Sequence, residues 1–372
     1  GIGDVYKRQM EKEPRRLLEI KGISPKKCDS IAEEVQKIFN LRHLMIYLSE
    51  FGLKAGIAMR AYQLWGRQAI EMIKANPYCL CDNYIGLSFK KAEEVAGEMN
   101  IPSDSHKRIE AGFIYLLSEN ANAGHSCIPI DVFEKLACTY LKITQADFYE
   151  VYNELMEEQK IYEYIKNDRG FIYLDDYYCA ESYIAGRIGV IQAFSSPDDY
   201  DYEKLIDIEE EQNGIHYEKL QRQAITTALS RGIMIMTGGP GTGKTTTLNA
   251  IISLYEKKGE SVMLAAPTGR AAKRMSDLTG REARTIHRLL EVEFDAGGKL
   301  KFKHNESDPL ECDVVVVDEM SMVDVILFES LLRALKLNCR LIMVGDSDQL
   351  PSVGAGNLLT VSYTHLTLPT NS

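Results

Sequence analysis

The chain contains no apolar run approaching the ~18–20 residues that cross a membrane, and no signal-peptide pattern opens it. The expectation is a cytoplasmic protein without a membrane partner. Paired cysteines are also missing. Eight are scattered along 372 residues, and only Cys79-Leu80-Cys81 lie close. That spacing suits neither zinc nor a redox pair, so reduced thiols are expected. Positive charge is not in excess either. The formal net charge of −11 argues against nonspecific adhesion to nucleic acid, but a local basic groove stays open because a cleft's field is set by its own neighbours. The hydrophobic fraction of 45% and charged fraction of 26% are those of a globular chain, long enough for about two or three domains.

One stretch carries chemistry on its face. Residues 238–245 read Gly-Gly-Pro-Gly-Thr-Gly-Lys-Thr, the spacing of a phosphate-binding loop. An apolar strand, Ile233–Met236, precedes it, and an apolar-spaced helix follows. The glycines free backbone N–H groups to wrap phosphates, and the helix N-terminus adds partial positive charge. Gly239, Pro240, Gly241, Thr242, Gly243, Lys244, Thr245 and Thr246 are the expected nucleotide cradle. Lys244 would reach the β/γ-phosphates, and Thr245 would ligate Mg²⁺.

Downstream, four valines, 314–317, end in Asp318-Glu319. A β-branched run with acids at its C-terminal end reads as a buried parallel strand, and ligands sit at that edge of open α/β sheets. Asp318 is the candidate Mg²⁺ partner. Glu319 is the candidate base for the attacking water. Residues 341–344 form another apolar strand ending in Gly345-Asp346-Ser347-Asp348-Gln349, where Gln349 suits a γ-phosphate sensor. Residues 262–266 form a fourth, ending in Pro267-Thr268-Gly269-Arg270. Short strands alternating with helices predict a doubly wound parallel sheet, an α/β P-loop NTPase fold with helices on both faces.

The order and spacing of these segments over about 217–359 resemble the helicase motifs of RecD-like superfamily 1 DNA helicases. The resembling segments are 240–246, 266–272, Thr285-Ile286-His287-Arg288-Leu289-Leu290, 317–324 and 345–356. Leu220-Gln221-Arg222-Gln223 resembles the family's Q motif, which implies that Gln221 contacts adenine. The resemblance implies an ATP- and Mg²⁺-dependent helicase moving 5′→3′ on single-stranded DNA, in repair or recombination. It also places Pro267, Thr268, Arg270 and Thr285 beside the strand. The stretch 269–288 is basic, with Arg270, Lys273, Arg274, Arg281, Arg284 and Arg288 against Asp277 and Glu282, as phosphate tracking requires. For Arg274 and Arg281 a solvated helix face stands equally open. Alternating residues flank Asp-Ala-Gly-Gly within 291–304, predicting a hairpin. The family places a strand-separating pin near there, and a plain surface hairpin is the other reading.

The first half reads as mainly helical. Around Gly22-Ile23-Ser24-Pro25-Lys26-Lys27, Phe51-Gly52-Leu53 and Ile85-Gly86-Leu87-Ser88 the pattern resembles helix-hairpin-helix units. Backbone N–H groups of such turns hold a DNA phosphate, so Gly22, Lys26 and Gly86 are candidate contacts to duplex or junction DNA. Serine stands where the usual turn has its second glycine, and a helical array that only packs on the motor is the alternative. The expected organisation is a helix-hairpin-helix region over 10–125, a winged-helix-like module over 126–185, a polar linker over 186–215, and a RecA-like motor domain over 216–360. Segments 1–9 and 361–372 break the pattern beside them and resemble translated adapter read-through, which implies a fragment cut at both ends. The family's second motor domain supplies arginines to the γ-phosphate. Two alternatives therefore stay open: a non-catalytic DNA- and nucleotide-binding fragment, and a relative of conjugation relaxase–helicases.

Overall fold

The computed structural model describes residues 24–82, 84–194, 201–238, 242–294, 300–345 and 354–356. They form two compact units. One holds residues up to Tyr115 together with Ala137–Tyr152. The other holds Leu116–Leu136 and the residues from Asn153 onward, apart from the hairpin tip.

The first unit is helical. Helix α1 (Pro25–Glu50) starts where Ser24 Oγ accepts the Lys27 N–H at 3.3 Å, and Pro25 loses nothing in the first turn because its N–H would be unpaired there. The chain reverses at Gly52, whose φ of +67° lies in the left-handed region, and enters α2 (Ala55–Trp65). Helix α3 (Ala69–Ala75) and a single 3-10 turn, Pro77–Cys81, follow. Gly86, φ +69°, leads into α4 (Phe89–Glu98), capped by Ser88 Oγ on the Lys91 N–H. Leu44, Leu48, Ile57, Ile73, Leu80, Ile85 and Val95 close one core. The serines at positions 24 and 88 thus replace a second glycine because each serves as a helix cap. Gly22 and the helix expected before it lie outside the described residues. Cys79 and Cys81 sit in the 3-10 turn, where burial pushes each thiol up to about 12, in keeping with inert, reduced side chains.

Helix α5 (His106–Asn122) leads to strand β1 (Cys127–Pro129), helices α6 (Ile130–Leu141) and α7 (Gln145–Glu157), and strands β2 (Ile161–Lys166) and β3 (Arg169–Leu174). The three strands form an antiparallel sheet in the order β1-β3-β2. Asn167 and Asp168, both at positive φ, make the tight β2–β3 turn that such residues favour.

Helices α8 (Asp175–Phe194), α9 (Tyr202–Asn213) and α10 (Lys219–Ser230) precede the parallel sheet. The sheet comprises β4 (Ile233–Thr237), β5 (Val262–Ala266), β6 (Ala283–Thr285), β9 (Val314–Val317) and β10 (Arg340–Gly345), in the order β4-β10-β9-β5-β6. Between them run α11 (Lys244–Lys257), α12 (Gly269–Thr279), the short α13 (Ile286–Leu289), the hairpin β7 (Val292–Phe294) and β8 (Leu300–Phe302), and α14 (Val325–Ala334). Both faces of the sheet are covered. Val315 and Val317 pack with α8, α13 and α14; Val314 and Val316 pack with α9, α10 and α11. This is the doubly wound α/β arrangement read from the strand–helix alternation.

The stretch 186–215 differs from the expected polar linker. It is helical over 186–194 and 202–213, and Ile191 and Ile206 are fully part of the two sheet-face cores. The polar Pro-containing segment that suggested a linker is short, and the apolar positions on either side of it find partners on the sheet.

Because Ser88 Oγ accepts the Lys91 N–H at the helix start, Ser88→Ala should cost about 1 kcal/mol and Ser88→Gly only a few tenths. Denaturant unfolding followed by helical circular dichroism checks the ordering; equal losses would mean that the cap is idle.

Candidate functional site

Parallel register gathers the motif residues on one sheet edge. Gly345 lies opposite Thr237, and Val317 lies opposite both Met343 and Ala265. The phosphate loop leaves β4, the acid pair leaves β9, and Pro267-Thr268 leaves β5, all at C-terminal ends. Only β10 separates β4 from β9, so loop and acids stand about 10 Å apart, two strand spacings. Gln349 and Gly239–Gly241 lie outside the described residues, and their expected roles pass to the proposal below.

At the loop, Gly243 takes φ +81° and caps α11, whose first residue is Lys244. A side chain at Gly238 would meet Thr242 Oγ1 at 2.8 Å. The Thr242 and Lys244 side chains are therefore folded against Gly238. The Lys244 ammonium donates to Gly238 O, folding back into the loop where an anion's oxygens would draw it. Thr245 and Thr246 are exposed in the first helical turn, while Thr247 is buried and donates its hydroxyl to Gly243 O at 3.1 Å. Gln221 lies beside the loop. Its carbonyl oxygen accepts the Glu218 N–H at 2.9 Å in a capping box, and its amide nitrogen faces Gly243.

At the acids, Asp318 Oδ1 accepts the Glu319 N–H at 2.8 Å, which leaves its other oxygen for a cation. Burial pushes the Asp318 carboxyl above the usual carboxylate range; the Glu319 N–H, Arg274 and Lys244 pull the other way. Glu319 stands at φ +54°, the left-handed region, which costs a non-glycine residue about 1–3 kcal/mol and is tolerated where the surroundings enforce it. An exposed threonine hydroxyl and a carboxylate oxygen left unused at the same sheet edge fit a magnesium–nucleotide.

Two features were missed in the sequence. Arg274 Nη1 lies 3.6 Å from Glu319 Oε1, so this arginine does not simply face solvent. The Ser321 hydroxyl is buried without a hydrogen-bond partner. Neither has a sequence signal, since both depend on which strands become neighbours.

Beside the acids, α12 and β6 enclose a cleft of about 680 Å³ lined by Gly269, Lys273, Glu282, Arg284, Thr285 and Arg288, among others. Among the described residues Lys273 and Arg288 have no ion-pair partner, while Arg284 pairs with Glu282 at 2.8 Å. Thr268 and Thr285 cap α12 and α13 by accepting the Ala271 and Arg288 N–H groups. Arg270 is exposed one turn before Arg274. Arg281 is engaged elsewhere, in a two-bond fork on Glu256. The hairpin over 291–304 forms, with Val292 opposite Phe302, and the exposed His287 ring lies 5.8 Å from Phe302.

Residues 221–355 match an AAA domain family, and residues 37–127 match the family described as the ATP-dependent RecD2 DNA helicase HHH domain. The chain is similar to RecD-like superfamily 1 helicases through both of its halves. It is 30% identical over 357 residues to an ATP-dependent RecD2 DNA helicase of Deinococcus radiodurans, covering 93% of this chain and 49% of that relative. It is 41% identical over 162 residues to the RecBCD enzyme subunit RecD of Mycolicibacterium smegmatis, covering 37% of this chain and 29% of the relative. The RecD subunit of Haemophilus influenzae is 29% identical over 302 residues, covering 74% and 42%. The chain thus spans about half the length of the RecD2 relative, and less of the others. Among the described residues no helix is long and apolar enough to cross a membrane.

For this RecD-like motor the Asp318 carboxyl has a testable sign. Its folded value is raised by burial, so folding disfavours the charged form. That cost is absent below the unfolded value, grows as pH rises toward the folded value, and is fully present above it. Asp318→Asn should therefore raise the melting temperature of the nucleotide-free protein at about pH 7 and converge with wild type below about pH 4. Thermal melts across that range check it; a destabilised variant at neutral pH contradicts the assignment.

Proposed function

We propose that this chain forms the DNA-binding region and first motor domain of an ATP-dependent helicase, moving 5′→3′ on single-stranded DNA in repair or recombination. The observation that carries the reading is the shared sheet edge: a glycine-rich stretch leading from β4 to Lys244 at the start of α11, with Asp318 and Glu319 two strands away and a cationic cleft lined by α12 and β6. ATP enters with its phosphates on the N–H groups of 239–243. Lys244 turns from Gly238 O to the β/γ-oxygens. Gln221 presents its amide along the loop to the adenine side. Thr245 and the unused oxygen of Asp318 would hold Mg²⁺, which would neutralise phosphate charge when bound. Glu319 orients and deprotonates the attacking water, and Gln349 senses the γ-phosphate. Chemistry of this kind is positioning and charge stabilisation.

The strand passes along Pro267, Thr268, Arg270 and Thr285 with Lys273 and Arg288 in the cleft. The 291–304 hairpin is the strand-separating wedge. The turns at Gly22 and Gly86, with Lys26, hold duplex or junction phosphates. Strand β1, helices α6 and α7 and the β2–β3 wing form the winged-helix-like module of 126–185. Contacts at these turns and in the cleft go to the phosphate backbone, so they should not distinguish sequences.

In the intact protein, Lys244→Ala should abolish strand-stimulated ATP turnover with the circular dichroism unchanged, and Glu319→Gln should retain ATP binding while slowing hydrolysis by ~10²–10⁴-fold. Steady-state rates and nucleotide titration measure both, and wild-type turnover in the lysine variant refutes the site. Arg288→Ala should lower the slope of log K against log salt by ~0.7 on single strands of any sequence. Fluorescence anisotropy over a salt series reads this; a slope unchanged on every oligonucleotide excludes the cleft from the track.

A further inference from the structure

Taking the motor reading above as its ground, we propose that Arg274 is a positioning residue that holds the Glu319 carboxylate against α12 until a strand occupies the neighbouring cleft, so that strand binding frees the base. Arg274 Nη1 and Glu319 Oε1 are 3.6 Å apart, with the arginine side chain 70% exposed and the glutamate 17% exposed. A carboxylate oxygen engaged by a guanidinium is not available on that side to take a proton from water. The left-handed backbone at Glu319 limits the directions in which its side chain can leave.

The pair is built to be exchanged. It is a single long contact, unlike the two-bond fork of Arg281 on Glu256. Being largely exposed, the guanidinium is open to a competing phosphate, and exposed pairs of this kind are weak. Its position supplies the link. Lys273, the preceding residue, lines the cationic cleft. Arg270, one turn earlier, shares the Arg274 face of α12. The same helix thus presents adjacent cations to the strand's path on one side and to the base on the other. Arg274 also acts electrostatically on Asp318, together with Lys244, so its movement alters the field at both acids.

The test measures ATP turnover of the intact protein with and without oligo-dT, for wild type, Arg274→Gln and Arg274→Lys. The glutamine variant should raise the strand-free kcat about two- to fivefold, the scale of an exposed ion pair. Its KM for ATP should be unchanged, while the loss of one phosphate contact weakens oligo-dT binding modestly, so the stimulation ratio read at saturating oligo-dT shrinks. The lysine variant should restore the wild-type ratio. If Arg274→Gln lowers both rates together at saturating oligo-dT, or changes nothing while wild type is stimulated, the hold on Glu319 is refuted and the motor reading survives. If wild type shows no strand-stimulated turnover that depends on Lys244, the motor reading fails and this inference falls with it.

Discussion

Val314–Val317 is buried on both faces, and the site depends on that constraint. A strand covered on both sides cannot shift register without moving alternate valines between two packed cores. Its partners, β10 and β5, are held by the same alternation. The residues that follow each strand therefore emerge at fixed places on one edge. Asp318 bonds back to Ala265 O through its own N–H, which ties the acid pair to the strand that carries Pro267 and Thr268. The proposed nucleotide site and strand path would be neighbours because β9 and β5 are neighbours.

The edge is held against the preferences of its own residues. Burial disfavours the charged form of Asp318, and Glu319 occupies a backbone region that its side chain disfavours. The Lys244 ammonium bonds a carbonyl of its own loop. Each is a stabilisation deferred: a divalent cation would relieve the first, and a phosphate would give the lysine a stronger partner. The surrounding cores are extensive enough to hold such strain of a few kcal/mol.

The motor was legible because its signals are contiguous. The 238–245 loop and the 314–319 strand carry their chemistry in consecutive residues, and the structure places their described residues on one edge. The hairpin over 291–304 was equally local. What depended on long-range packing was not legible. The second half of α8 and all of α9 were read as linker, since Ile191 and Ile206 are recognisable as core only once the sheet faces exist. Arg274 and Arg281 were indistinguishable in the sequence; folding sends one toward Glu319 and the other to Glu256. The serines at 24 and 88 looked like departures from a glycine turn, yet each caps a helix, a role that their sequence position already allowed.

Charge distribution joins these points. The net charge is −11, so long-range attraction does not bring a polyanion to this chain. The cations must act over short distances, inside about a Debye length. Many are neutralised where they stand: Arg222 by Glu203, Asp207 and Glu210, Arg281 by Glu256, Arg340 by Glu260. Those pairs brace α9, α11 and the strand entry. Against that paired background, Arg270, Lys273 and Arg288 keep their charge open among the described residues, all within the segment that links β5 to the hairpin. At this edge of the sheet a polyanion thus meets open cations on one short path past the acids, while the nearby Arg281 and Arg340 are already paired with Glu256 and Glu260.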